Sequence, residues 1–164
     1  MISSLYDNLK TPSYVKWVEK ENLHITLKFL GETDKKTDIE KKIKEIENRF
    51  SPFEVSLKDI GAFPTPKRAR ILWIGVEEGM EKLCELFKAI DNKTAELGFE
   101  EETRKFTPHI TFARVKKEKY SLPENINFSF DPFPVNEVVL FKSTLTPKGA
   151  IYESLSKIPL GGKS

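Results

Sequence analysis

The tripeptide His-Ile-Thr occurs twice, at His24-Ile25-Thr26 and at His109-Ile110-Thr111, and the 164-residue chain contains no other histidine. Chance repetition of that context is on the order of one in thirty thousand. Both copies lie in short runs, about 22–30 and 106–115, where β-branched, aromatic and polar residues alternate, which predicts strands. A strand sends residues i and i+2 to one face. His24, Thr26 and Lys28 therefore share a face, opposite Ile25, Leu27 and Phe29. In the second copy His109, Thr111 and Ala113 share a face, and Arg114 points away unless twist or a bulge returns it. The fold has to present two strands that carry the same pair of polar groups.

Those groups have complementary chemistry. Imidazole gains and loses a proton near neutrality, and a threonine hydroxyl two residues on can donate to an oxyanion. Two such strands brought together surround one phosphate with two proton-transfer groups and two hydroxyl donors. Neither strand carries Asp, Glu or Cys on its histidine face, so the ligand set of a zinc or iron site is not visible. Cys84 is the only cysteine, which excludes an intramolecular disulfide and gives no support to a Cys-based metal site. The reading is a phosphodiester-handling site without a metal.

The rest of the chain predicts α+β order. Leu5, Tyr6 and Leu9 mark a short first helix, and Tyr14 to Val18 a strand ahead of the first motif. Thr33 or Asp34 caps a helix through about Asn48 with Ile39, Ile43 and Ile46 as its apolar stripe. A strand follows from Phe53 to Ala62. Phe63 to Arg70 reads as a proline-rich, basic connection, and Ile71 to Val76 as a buried strand. Leu83, Leu86, Phe87, Ile90 and Leu97 recur at helical spacing until Gly98. After the second motif come a short strand at Asn127 to Phe130 and two final strands, Asn136 to Thr144 and Ile151 to Ile158, joined by a turn at Thr146-Pro147-Lys148-Gly149. The expectation is one domain of two similar α+β lobes, each with one motif, facing across a cleft.

Net charge is only +2, so affinity for nucleic acid has to come from local clusters: Lys67 to Arg70, Arg104-Lys105, Lys116 to Lys119, and Lys142 with Lys148. Around a cleft they would attract an RNA backbone. Phe63, Phe106, Phe128, Phe130 and Tyr152 are candidates for base stacking, Tyr152 foremost. No apolar run approaches membrane-spanning length and the start lacks a signal-peptide pattern, so the expected location is cytoplasmic.

The paired motifs His24-Ile25-Thr26-Leu27 and His109-Ile110-Thr111-Phe112 resemble those of the two-histidine (2H) phosphoesterases, nearest their RNA 2′,3′-cyclic phosphodiesterase (2′-5′ RNA ligase-like) branch. Glu21 to Gly31-Glu32, Gly61-Ala62-Phe63-Pro64, Ser143 to Gly149 and Ile151-Tyr152-Glu153 are similar to archaeal members. The resemblance implies a bilobal α+β fold of two antiparallel-sheet lobes with outer helices around a central groove. It implies hydrolysis of RNA 2′,3′-cyclic ends to 2′-phosphates without metal or organic cofactor. His24 would be the acid, His109 the base, and Thr26 and Thr111 would hold the phosphate oxygens. Lys28, Arg114 and Tyr152 are further candidate substrate contacts. RNA ending in a cyclic phosphate, tRNA fragments among them, is the expected partner of a monomer that needs no membrane. One departure stands out: family members begin with an apolar strand and full helix, of which Met1 to Ser13 supplies at most part of the helix. The competing readings are 2′-5′ ligation, hydrolysis of a small cyclic phosphate such as one derived from ADP-ribose, and a non-catalytic RNA-binding module.

Overall fold

The computed structural model describes residues 2–116 and 119–161. Apart from the strand expected at about 22–30, which is absent, and the one expected at Asn127 to Phe130, which lies later, the elements follow the predicted order: α1 (Ile2–Leu9), β1 (Val15–Trp17), α2 (Lys36–Lys44), β2 (Phe53–Thr65), β3 (Arg68–Val76), α3 (Met80–Ala95), β4 (His109–Val115), β5 (Ser129–Val135), β6 (Glu137–Thr146) and β7 (Gly149–Pro159). They make an α+β chain with a five-stranded sheet in the order β1-β4-β3-β2-β5 and a separate β6-β7 hairpin. The pairings β1-β4, β4-β3, β3-β2 and β6-β7 are antiparallel.

Two compact units divide these elements. The first gathers Met1–Thr26, Val55–Met80 and Thr107–Phe133, and the second Leu27–Glu54, Glu81–Phe106 and Pro134–Ser164. Both His-Ile-Thr segments therefore belong to the first unit, whereas the sequence pattern assigns one to each of two lobes. Pairing explains the difference: the first segment is bridged directly to β4, at Ile25↔Ile110.

In the first unit the sheet has one dry face. Leu72, Ile74, Ile110, Phe112, Ala113 and Val115 are buried there, with Leu5 of α1 among the fully enclosed side chains. Trp17 packs against Phe112 with ring centroids 5.1 Å apart, and its indole N–H donates to Thr11 Oγ1 at 2.7 Å. Strand β3 is not buried on both sides as its apolar run predicts. Ile71, Trp73 and Gly75 are half-exposed and belong to the opposite face. The predicted basic connection is also shorter: β2 runs on through the cis Phe63–Pro64 bond to Thr65, and only Pro66 and Lys67 separate it from β3. A register shift at Phe63/Pro64 lets proline, which has no N–H for the ladder, sit within the strand.

The second unit packs α2 and α3 with the β6-β7 hairpin. Ile39, Ile43 and Ile46 meet Leu86, Ala89 and Ile90 of α3 and Val138, Ile158 and Leu160 of the hairpin segment. Each fully buried Ile or Leu of this cluster contributes roughly 1.5–3 kcal/mol. Ile39 and Ile43 are buried on α2 as predicted, but the helix ends at Lys44 rather than near Asn48, so the buried Ile46 follows it. Its start is later than a Thr33 cap would give, with Lys35 at the N-cap and no side-chain cap bond. Thr33 Oγ1 instead accepts the Lys35 N–H at 3.1 Å, a local turn. Gly98, at φ +96°, ends the α3 region as expected.

Candidate active site

The first motif is not a regular strand. Residues 20–22 form a 3-10 turn, and Ile25 makes one isolated antiparallel bridge to Ile110. That bridge is enough to fix the site. In an antiparallel pair, residue i−1 stands against j+1 and i+1 against j−1. Antiparallel register extended one residue either way from that bridge pairs His24 with Thr111 and Thr26 with His109. Directly opposed residues have Cβ atoms about 4.5–5.5 Å apart and diagonal ones about 7–8 Å. All four residues are half-exposed, while Ile110 behind them is buried.

Both imidazoles are oriented in the same way. His24 Nδ1 lies 2.6 Å from the carbonyl oxygen of Asn22, and His109 Nδ1 lies 2.9 Å from that of Thr107. A carbonyl only accepts, so Nδ1–H is the donor in each bond and Nε2 becomes the atom at which a proton is taken or given. The two-residue backward reach is the same in both copies, which makes them chemically equivalent at this level.

The bulge on β4 revises the alternation. Leu72 pairs with Ala113 and Trp73 with Thr111, leaving Phe112 as an extra residue. Beyond it the faces exchange: Phe112, Ala113 and Val115 are buried, and Arg114 is exposed. Ala113 thus leaves the histidine face, and Arg114 joins it through the bulge that strict alternation omits.

Lys28 is placed differently from a substrate contact. Its ammonium pairs with the Asp91 carboxylate and donates to the Glu100 carbonyl at 2.8 Å, and its side chain is only 8% exposed. Asp91 also accepts the Glu102 N–H through both oxygens, at 3.2 and 3.1 Å. Lys28 is a structural tie within the second unit. Tyr152, also in that unit, stands edge-on to Phe141 with centroids 6.0 Å apart. Among the basic clusters, Lys67, Arg68, Arg70, Lys116, Lys119, Lys142 and Lys148 are exposed, and Lys117 lies outside the described residues. Arg104 turns back to Glu102, whose carboxyl is held below its ordinary range by the backbone and side-chain hydrogen bonds of Arg104.

Sequence periodicity gives no hint of Trp73. Its indole lies against Gly61, 5.7 Å from the Phe63 ring and 6.0 Å from the His109 ring, with Phe63 and His109 themselves 6.1 Å apart. A Cβ at Gly61 would fall 2.1 Å from Trp73 Cζ2. Gly61 is what allows the indole to lie there. Gly61→Ala is expected to overpack this contact at a cost of about 1–3 kcal/mol, lowering the thermal midpoint by several degrees and changing tryptophan fluorescence. An unchanged midpoint and spectrum would mean that the indole is not seated on the glycine.

The LigT like Phosphoesterase family matches this chain over residues 2–73 and 74–152, one motif in each stretch. The chain belongs to that family. The LigT-like chain is 44% identical over 152 residues to the RNA 2′,3′-cyclic phosphodiesterase of Methanocaldococcus jannaschii, covering 87% of this chain and 83% of the relative. It is 39% identical to the Aquifex aeolicus protein of the same name, covering 90% and 82%. Its fold is similar to a solved Thermus thermophilus structure at TM-score 0.85 and 27% identity, covering 99% and 91%. It is likewise similar to Escherichia coli LigT bound to 3′-AMP at TM-score 0.74 and 27% identity, covering 97% and 88%. No described helix of this LigT-like chain is long and apolar enough to cross a membrane.

Proposed function

We propose that this chain hydrolyses the 2′,3′-cyclic phosphate at an RNA end to a 2′-phosphomonoester, by acid/base catalysis between His24 and His109. The observation that supports the reading is the bridge Ile25↔Ile110, which joins the two His-Ile-Thr segments, together with the matching Nδ1 contacts of His24 and His109. The names of the similar archaeal and bacterial proteins supply the substrate class.

In this mechanism a water oxygen attacks phosphorus as His109 Nε2 takes its proton. The bond from phosphorus to the 3′ oxygen breaks, and His24 Nε2 gives that oxygen a proton. One proton is gained and one lost, so the pair needs only to exchange protonation states to begin again. The threonine hydroxyls donate to the non-bridging oxygens, whose charge increases in the pentavalent transition state. Arg114, brought round by the bulge, adds a cation on the same face. The assignment of acid and base follows the family resemblance. The exposed Lys67, Arg68 and Arg70 on the β2-β3 hairpin give an RNA backbone a basic approach in the first unit.

The test is turnover of a short oligoribonucleotide ending in a 2′,3′-cyclic phosphate, with EDTA present. The expected product is the 2′-phosphate, formed at the same rate with and without chelator. Binding without conversion, or conversion abolished by EDTA, would rule out the two-histidine mechanism.

A further inference from the structure

The chain changes unit beside each pair of catalytic residues. It leaves the first unit between Thr26 and Leu27 and enters it for the last time between Phe106 and Thr107. Thr26 belongs to the first motif, and Thr107 carries the carbonyl that orients the His109 imidazole. Residues 26–31 and 99–108 lie outside every helix and strand, so no sheet ladder holds either crossing segment. One buried cluster on α3 does. Lys28 pairs with Asp91 of α3 and donates to the Glu100 carbonyl at 2.8 Å. The same carboxylate accepts the Glu102 N–H through both oxygens, at 3.2 and 3.1 Å. Lys28 is two residues past Thr26, and Glu102 five residues ahead of Thr107. A single carboxylate thus ties the segment that leads out of the first motif to the segment that leads into the second. We infer that Lys28 and Asp91 are positioning residues for His24 and His109, acting through these two segments. The inference rests on the function proposed above and adds to it what holds the catalytic groups in place.

Stability alone does not call for a charged pair at this place. Apolar side chains of similar volume hold packed elements as firmly as a buried ion pair, or more so. They do not fix where along a helix an irregular segment rests, because apolar attraction has no direction. Charge-assisted hydrogen bonds do have one. Here one carboxylate receives an ammonium from the first segment and a backbone N–H from the second. The anchor itself is firm, since Leu86, Ala89 and Ile90 around it on α3 belong to the core of the second unit. Misplacing a catalytic group by about 1 Å can cost up to about 10²-fold in rate. Slack in either segment therefore impairs proton transfer more than binding, and it appears in kcat before KM.

The experiment measures kcat and KM on a short oligoribonucleotide ending in a 2′,3′-cyclic phosphate, at a temperature where every protein compared is folded. The double variant Lys28→Met with Asp91→Leu removes the cluster and keeps apolar volume in its place. Its kcat is expected to fall by roughly 10–10²-fold with KM changed by less than about three-fold. Glu102→Pro deletes only the N–H of the second segment and should lower kcat in the same sense, whereas Glu102→Ala keeps that N–H and should stay near wild type. A folded double variant with wild-type kcat would overturn the inference, as would equal losses in Glu102→Pro and Glu102→Ala. The two Glu102 variants decide the question by themselves if the double variant does not fold. The chain has two histidines, so proton NMR of the imidazoles reads both sites without turnover. Their ring signals should broaden or double in the double variant and in Glu102→Pro, and stay sharp in Glu102→Ala. If wild type hydrolyses no cyclic end the proposed function is wrong, and the imidazole signals alone then test the positioning. Signals unchanged in both the double variant and Glu102→Pro refute it.

Discussion

His24→Ala and His109→Ala are each expected to lower hydrolysis of a 2′,3′-cyclic end by roughly 10²–10⁴-fold, with little change in KM. Each imidazole is half-exposed and oriented by a hydrogen bond to a backbone carbonyl two residues back. Their removal leaves no large cavity, so the variants should fold. The two groups act in one step, and losing one strands the other. The double variant should consequently fall no further than the worse single one, rather than by the product of the two losses. Two fully active single variants would remove both histidines from the reaction.

The sequence displays the repeated motif because chemistry constrains it residue by residue. It also displays the α2 stripe of Ile39 and Ile43 and the β6-β7 turn, because periodicity and turn chemistry are local. The remaining features depend on pairing between distant segments. Alternation alone keeps Arg114 off the site, because an inserted Phe112 is recognisable only once β3 and β4 are in register. The first motif reads as a full strand although one bridge, Ile25↔Ile110, fixes it. Ile71 to Val76 reads as buried on both sides because Trp73 and Gly75 resemble core residues when their partners Gly61 and His109 are not in view. The Gly-Ala-Phe-Pro run is the one signal that points toward Trp73, and it names the glycine and not the indole above it.

Lys28 shows the same dependence on distance with the largest structural consequence. Asp91→Ala is expected to destabilise the chain by about 3–5 kcal/mol and lower its thermal midpoint by about 10 °C or more. The reason is asymmetry. The Lys28 side chain is 8% exposed and the Asp91 side chain 10%, so removing the carboxylate leaves an ammonium away from water with only the Glu100 carbonyl as a described acceptor. The Glu102 N–H loses both of its carboxylate contacts as well. Removing both charges together, in Lys28→Met with Asp91→Leu, eliminates the unpaired ion and replaces it with apolar volume. The double variant should recover much of the midpoint, and the cycle should show a coupling of roughly 0.5–3 kcal/mol or more between the two positions. Thermal unfolding of wild type, Lys28→Met, Asp91→Leu and the double variant reads this directly. Additive losses would mean that the ammonium finds water once Asp91 is gone, and that the pair across 63 residues of sequence is a surface contact rather than a buried tie.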